Sequence, residues 1–176
     1  MIIVLGLDPG SRHFGWGVVR REGTRLEHMA HGVIHPDLTT TFADRLVVIE
    51  RELVGVVTGY HPTHASVEGL FFAKDAQAAG KLGHARGVAL LVCARAGLEI
   101  AEYPPARVKR TIAGAGRADK AQVAEMVKVI LRLRGTPPSD AADALALAVT
   151  HLSHSTLRPL PTPSGARPTP RGSSAR

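Results

Sequence analysis

The sequence predicts a layered α/β fold, and three observations carry the prediction. Three strand-like stretches follow one another at the N-terminus. The first two are separated by Asp8-Pro9-Gly10-Ser11, a turn sequence. Beyond them, amphipathic helical segments alternate with short strand-like runs, the pattern of helices layered on a sheet.

Taken in order, residues 2–8 and 14–20 read as strands around that turn, and residues 25–35 as a third, weaker strand. Thr39, Thr40 and Thr41 offer caps to a helix in which Phe42, Leu46, Ile49, Leu53 and Val57 recur at spacings of three and four. Tyr60-His61-Pro62 ends it. Residues 65–68 form a short strand. Residues 75–96 form a second helix, rich in small residues that include Gly80, Gly83 and Gly87. Each glycine in a helix costs about 1 kcal/mol relative to alanine. Their clustering implies close approach of another backbone, either the sheet beneath or a partner subunit. Residues 98–103 give a fifth strand, and 119–133 and 139–153 two further helices.

Composition and charge narrow the function. No apolar run reaches the roughly 18 residues of a membrane span. The short N-terminal apolar run lacks a preceding basic region, so no secretory signal is expected. The single cysteine, Cys93, excludes an internal disulfide and fits a cytoplasmic protein; in "LLVCAR" it reads as a small buried hydrophobe. Net charge is +7, of which the last 19 residues, with four Arg, five Pro and no acid, carry +4. The expected organisation is one folded domain over residues 1–157 and a disordered basic tail over 158–176. Within the domain, residues 105–134 hold eight basic residues against Asp119 and Glu125, a local +6. That is an anion-binding face suited to nucleic acid, or an ordinary solvated helix surface.

Four acids stand out against this background. Asp8 ends the most apolar strand, and Glu68 ends another. An aspartate entering a turn bonds backbone N–H groups two residues on; it also suits the end of a central strand, where sites form. Asp140 and Asp143, three apart in "SDAADALALAVTHL", share a helix face. Asp140 suits a first helical turn through the helix dipole. Asp143, set among alanines and leucines, is expected to be buried on most sides and to need a partner or a cation. No partner is evident in the sequence. If all four converge, each pair of charges about 4 Å apart costs roughly 4 kcal/mol at an effective dielectric of 20. A divalent cation relieves that repulsion, and oxygen-only ligands favour Mg²⁺ or Mn²⁺. Two such ions support phosphodiester hydrolysis. The nine histidines form no comparable set, and neither a P-loop nor a Rossmann glycine pattern is present.

Four blocks, "GLDPGSRHFGWGVV", "VEGLFFAKDAQAAGKLGHARGVAL", "YPPARVKRTIAGAGRADKAQV" and "SDAADALALAVTH", resemble in order and spacing those of the RuvC family of bacterial crossover junction endodeoxyribonucleases, over about residues 1–155. The resemblance implies a ribonuclease H-like fold with a five-stranded mixed sheet flanked by helices. It implies a homodimer that resolves Holliday junctions by paired symmetric nicks. It further implies that Asp8, Glu68, Asp140 and Asp143 form a catalytic metal site for Mg²⁺, with Mn²⁺ substituting and two ions per site, and that the RuvA–RuvB branch-migration complex is a partner. Some family members carry His at the place of Asp143, so its role is the least fixed. Lys109 and Lys120 match the family's basic DNA-contacting positions, and Phe71 falls at the place of an aromatic used near the crossover. The candidate DNA-binding set is Phe71, Phe72, Lys74, Lys109, Arg110, Arg117 and Lys120, with Phe72 a departure from the family pattern.

Three other readings compete. The first turn also resembles the phosphate loop of actin and Hsp70-type ATPases, which need two such domains where this chain has one. A YqgF-like ribonuclease H-fold nuclease acting on RNA shares the turn but not the later blocks. A basic DNA-binding module without catalysis leaves the four acids without a role.

Overall fold

The structure, a computed structural model, describes residues 1–69 and 76–155. Strands β1 (Ile2–Asp8), β2 (Phe14–Glu22) and β3 (Arg25–Ile34) are followed by α1 (Phe42–Tyr60), β4 (His64–Glu68), α2 (Ala76–Arg95) and β5 (Glu99–Tyr103). Helices α3 (Pro105–Ala113), α4 (Lys120–Leu131) and α5 (Ser139–Ser155) complete the described chain. The five strands form one sheet in the order β3-β2-β1-β4-β5. β1–β2 and β2–β3 pair antiparallel, whereas β1–β4 and β4–β5 pair parallel, so the sheet is mixed.

Alternation along the strands divides the core in two. Ile3, Leu5 and Leu7 of β1 join Phe14 and Val18 of β2 in a cluster with Ile49 and Leu53 of α1 and Ala85, Ala89 and Val92 of α2. Val4 and Val19 face the other way, into a cluster built by α3, α4 and α5. Across that second face α5 lies against the strands themselves. A Cβ at Gly6 would stand 1.9 Å from the carbonyl oxygen of Ala144, and one at Gly15 2.0 Å from that of Asp140. Glycine at these places is what lets the helix backbone come down onto β1 and β2.

Several expectations need correction. The sheet half of the α2 reading does not hold: among the described residues nothing lies within 4 Å of a Cβ at Gly80, Gly83 or Gly87, and it is α5 that comes down onto the sheet. Of the three threonines, Thr41 caps α1, accepting from the Asp44 N–H, and His61 in the left-handed region (φ 48°) ends the helix. α3 was not foreseen. It begins at Pro105, in the first turn, where the missing N–H is not needed. α4 starts on a capping box, with Asp119 and Gln122 each bonding the other's backbone N–H. Residues 158–176, expected to be a disordered tail, lie outside the described residues, as do Phe71, Phe72 and Lys74.

Candidate active site

Period two and the sheet register bring the first two acids together. Residues 4, 6 and 8 of β1 face α5. In β4, Ala65 and Val67 face α1 and α2, while the Ser66 hydroxyl donates to the Leu147 carbonyl of α5 at 2.9 Å, so Glu68 also falls on the α5 side. β1 and β4 run parallel with Leu7 opposite Val67. Asp8 and Glu68 therefore end adjacent strands at the same edge of the sheet and on the same face.

α5 supplies the other two. Its N-terminal turn sits over the start of β2, where Gly15 admits the Asp140 backbone. Asp143 follows three residues on, and Leu147 one turn later, along one face of the helix. Asp8, Glu68, Lys109, Lys120, Asp143 and Leu147 line one cavity of about 230 Å³, with Pro105, Val108 and Val123 closing its side. Asp140 lies beyond that lining but near enough to act on Asp8 electrostatically.

The charges respond to this crowding. The Asp8 carboxyl is pushed up to about 7, first by burial and then by Asp143, Glu68 and Asp140, with Lys120 opposing. Glu68 is also raised, by partial desolvation and by Asp143; Lys120, Lys109 and Arg86 pull the other way. The partner that Asp143 was expected to need, which the sequence did not reveal, is Lys120. Lys120 Nζ stands 2.9 Å from its Oδ2, and about a quarter of the Asp143 side chain is exposed rather than sealed in alanine. That ion pair lifts the Lys120 ammonium above its usual value. Two cavity lysines, Lys109 and Lys120, against four carboxylates still leave net negative charge.

Donor chemistry fits a hard divalent cation, because every candidate ligand is a carboxylate oxygen. Among the described residues, no three His, Cys, Asp or Glu side chains close around a single point as a finished cage. An open, carboxylate-lined edge is the form magnesium prefers, since it keeps several waters and shares its shell with substrate phosphates.

The remaining candidates fall in two groups. Lys109 and Lys120 reach the acid cavity. Arg110, late in α3, and Arg117, before α4, are exposed and do not line it. The turn after Asp8 is tight for a reason internal to the chain: a Cβ at Gly10 would stand 2.1 Å from the His13 carbonyl oxygen. His151 serves packing, not metal. It is buried, Tyr103 Oη lies 3.1 Å from its Nδ1, and burial first, with the neighbouring His64 adding to it, pushes its pKa down to about 4. Cys93 is buried, and its thiol is pushed up to about 11, which leaves it unreactive. Sequence reasoning missed Arg86, a buried arginine beside Glu68; the signal available was a basic residue among alanines and glycines in the middle of α2.

Comparison with known proteins adds four matches. A family model described as crossover junction endodeoxyribonuclease RuvC matches residues 4–151. The crossover junction endodeoxyribonuclease RuvC of Sorangium cellulosum (strain So ce56) is 61% identical over 168 residues, 96% of this chain and 93% of that protein. Thermus thermophilus RuvC superposes with a TM-score of 0.81 at 35% identity, and its complex with Holliday junction substrate with 0.84 at 34%; both cover 89% of this chain and 96% of the other. The family match spans Asp8, Glu68, Asp140 and Asp143 and ends before the basic tail.

Proposed function

The chain belongs to the RuvC family of crossover junction endodeoxyribonucleases and is a nuclease that resolves Holliday junctions; from that premise we propose how its own residues do the work. Asp8, Glu68, Asp140 and Asp143 hold Mg²⁺, with Mn²⁺ as substitute and two ions per site. The observation that carries this is their convergence at one sheet edge, strong enough to push Asp8 up to about 7 despite the opposing charge of Lys120. When bound, such ions supply charge neutralisation and an activated water for attack on a phosphodiester.

The rest is done by the chain. β1 and β4 fix Asp8 and Glu68 on rigid strand ends, and α5 lowers Asp140 and Asp143 onto them. Lys109 and Lys120 place positive charge in the same cavity, where the scissile phosphate has to sit. Arg110 and Arg117, with the rest of the basic segment, hold flanking phosphates and set the salt dependence of binding. Phe71 stacks on a base unpaired at the crossover, and Phe72 and Lys74 complete the candidate DNA-binding set.

Two matched cuts call for two sites related by a two-fold axis, hence a homodimer with one site per subunit. The outer surface of α1 and α2 supports this: Val47, Val54 and Leu91 are about half exposed there, and Gly80, Gly83 and Gly87 have room for a second backbone. Junctions are handed over by a RuvA–RuvB complex in the cytoplasm, and residues 158–176 add general DNA affinity.

The test is cleavage of a synthetic four-way junction with Mg²⁺ and then Mn²⁺, mapping both cut sites, with a structured RNA as control substrate. Asp8→Asn, Glu68→Gln and Asp140→Asn are each expected to abolish cutting and to leave junction affinity within a few-fold of wild type, because the basic surface supplies it. Cutting by any of these at a near wild-type rate removes that residue from the site. Cleavage of the RNA in preference to the junction overturns the substrate assignment.

A further inference from the structure

Arg86 is the unusual residue of α2. It lies in the middle of a helix rich in alanine and glycine, and its side chain is only 5% exposed. Buried arginines need partners for their fixed fork of donors, and this one has two. One terminal nitrogen donates to the main-chain carbonyl of Glu68. The other stands 2.8 Å from Oε2 of Glu102 on β5.

Those contacts grip the end of β4. Its pairing with β1 ends at Val67, one residue short of Glu68. On the other side Glu68 pairs with Tyr103, and the Gly69 N–H donates to the Tyr103 carbonyl at 2.9 Å. Arg86 therefore bonds the Glu68 carbonyl where the chain leaves the sheet. It also lines the cavity that contains Asp8, Pro9 and Glu68. A hydrophobic residue would fill the same space without the desolvation a guanidinium brings. The charge is explained by what it holds.

We propose that Arg86 is a positioning residue for the metal site: by joining the Glu68 carbonyl to Glu102, it fixes the end of β4 so that the Glu68 carboxylate meets the cation in a set orientation. The proposal rests on the reading of Glu68 as a metal ligand. It also ties α2, the helix that follows residues 70–75, to the acid cluster, so a shift of that helix is felt at Glu68.

The test is Mn²⁺ binding to DNA-free protein, followed by the electron paramagnetic resonance of the free ion. Arg86→Lys keeps the charge but loses the fork, and it is expected to weaken Mn²⁺ binding about tenfold, the usual scale for residues that orient a ligand. In a Glu68→Gln background the same change is expected to have no further effect, because its action passes through Glu68. In cutting assays Arg86→Lys should raise the Mg²⁺ needed for half-maximal rate, while saturating metal restores the rate. If Arg86→Lys does not fold, Glu102→Gln, which removes the charge Arg86 pairs with, is compared in the same two backgrounds. Wild-type Mn²⁺ affinity in both Arg86→Lys and Glu102→Gln overturns the proposal, and so does a loss that persists unchanged in the Glu68→Gln background. Wild-type affinity in Glu68→Gln itself overturns the metal reading of Glu68, and Arg86's role with it.

Discussion

On one face of the sheet the strands present Leu5, Leu7, Phe14, Val18 and Val67 to α1 and α2, and all are sealed from solvent. On the other they present Gly6, Gly15, Gly17 and Ser66 to α5. The first face is held apart by side-chain bulk. The second is drawn together by the lack of it, so that the Ala144 and Asp140 carbonyls come down to where a Cβ would be. α5 answers with its own small residues, Ala141, Ala144 and Ala148, all buried. Large residues fill space and leave functional groups at arm's length. Small ones let two backbones set the distance between Asp8 and the acids of α5. The acid site lies at the edge of the small-residue face for that reason.

The comparison breaks most sharply with one methyl group. Gly6→Ala puts a Cβ onto the Ala144 carbonyl, and α5 has to move. A displacement of about 1 Å can cost a hundredfold in rate, so cutting is expected to fall at least about 100-fold. Leu5→Ala, one residue away on the other face, removes a buried side chain and is expected to cost about 2–5 kcal/mol in stability. The protein that remains folded should cut near the wild-type rate. Urea unfolding and single-turnover cutting, measured on both variants, separate the two. Equal catalytic losses would mean that both faces position the site alike.

The second prediction concerns the repulsion stored on the small-residue face. An acid with a folded pKa of about 7 against a usual 3.8 holds its proton more tightly folded than unfolded. The metal-free protein therefore loses stability as pH rises from below 4 to above 7. Asp8→Asn removes this loss. Above pH 7 without metal it is expected to exceed wild type by about 2–4 kcal/mol, allowing for partial solvent access. The gap should close as pH falls below the unfolded value of 3.8, where the wild-type carboxyl becomes neutral in both states. Thermal melts in chelator across that range check it. A gap independent of pH would assign the gain to packing rather than charge.

The two faces also differ in how far the sequence disclosed them. The α1 face was legible because bulk leaves a period: Phe42, Leu46, Ile49, Leu53 and Val57 announce their helix, and alternation announces β1. The tight face was not, because glycine in a strand has no periodic signature, and the visible glycine cluster was in α2. α3 was hidden behind Pro104-Pro105, with only Val108 and Ile112 buried to mark an inner side. Of the site, two strand-end acids and a helical acid pair could be read from the residues, and the family resemblance joined them into one set. The Lys120–Asp143 pair spans 23 positions and two helices, so nothing local reports it. Arg86 looked like one more helical arginine until its burial was known.

Lys120 gives a smaller effect. Its side chain is 73% exposed, so its pair with Asp143 is worth at most about 1 kcal/mol. Lys120→Ala is expected to change the melting temperature by no more than a few degrees. It should flatten the salt dependence of junction binding by about one unit of logarithmic slope, the share of one phosphate contact. An unchanged slope would leave Lys120 with the acids alone.

The smallest effect tests the glycines that the sheet does not need. Around Gly83 a Cβ meets nothing within 4 Å, so in the isolated chain Gly83→Ala adds a methyl group to open space. There it should stabilise α2 by up to about 1 kcal/mol, through helix propensity alone. If the subunits meet along this helix, the same methyl group faces its copy across the two-fold axis and holds the backbones apart. The expected outcome has both parts: a higher melting temperature at concentrations where the protein is monomeric, and a dimer dissociation constant raised about tenfold, or roughly 1.4 kcal/mol. On junction DNA, paired cuts should give way to single nicks as the two sites lose their link. Sedimentation over a dilution series and counting of nicked against resolved product measure both parts. A more stable helix with an unaltered dimer would put the subunit contact elsewhere. These glycines would then serve neither the sheet nor the partner, and the contrast between the two faces would end at α5.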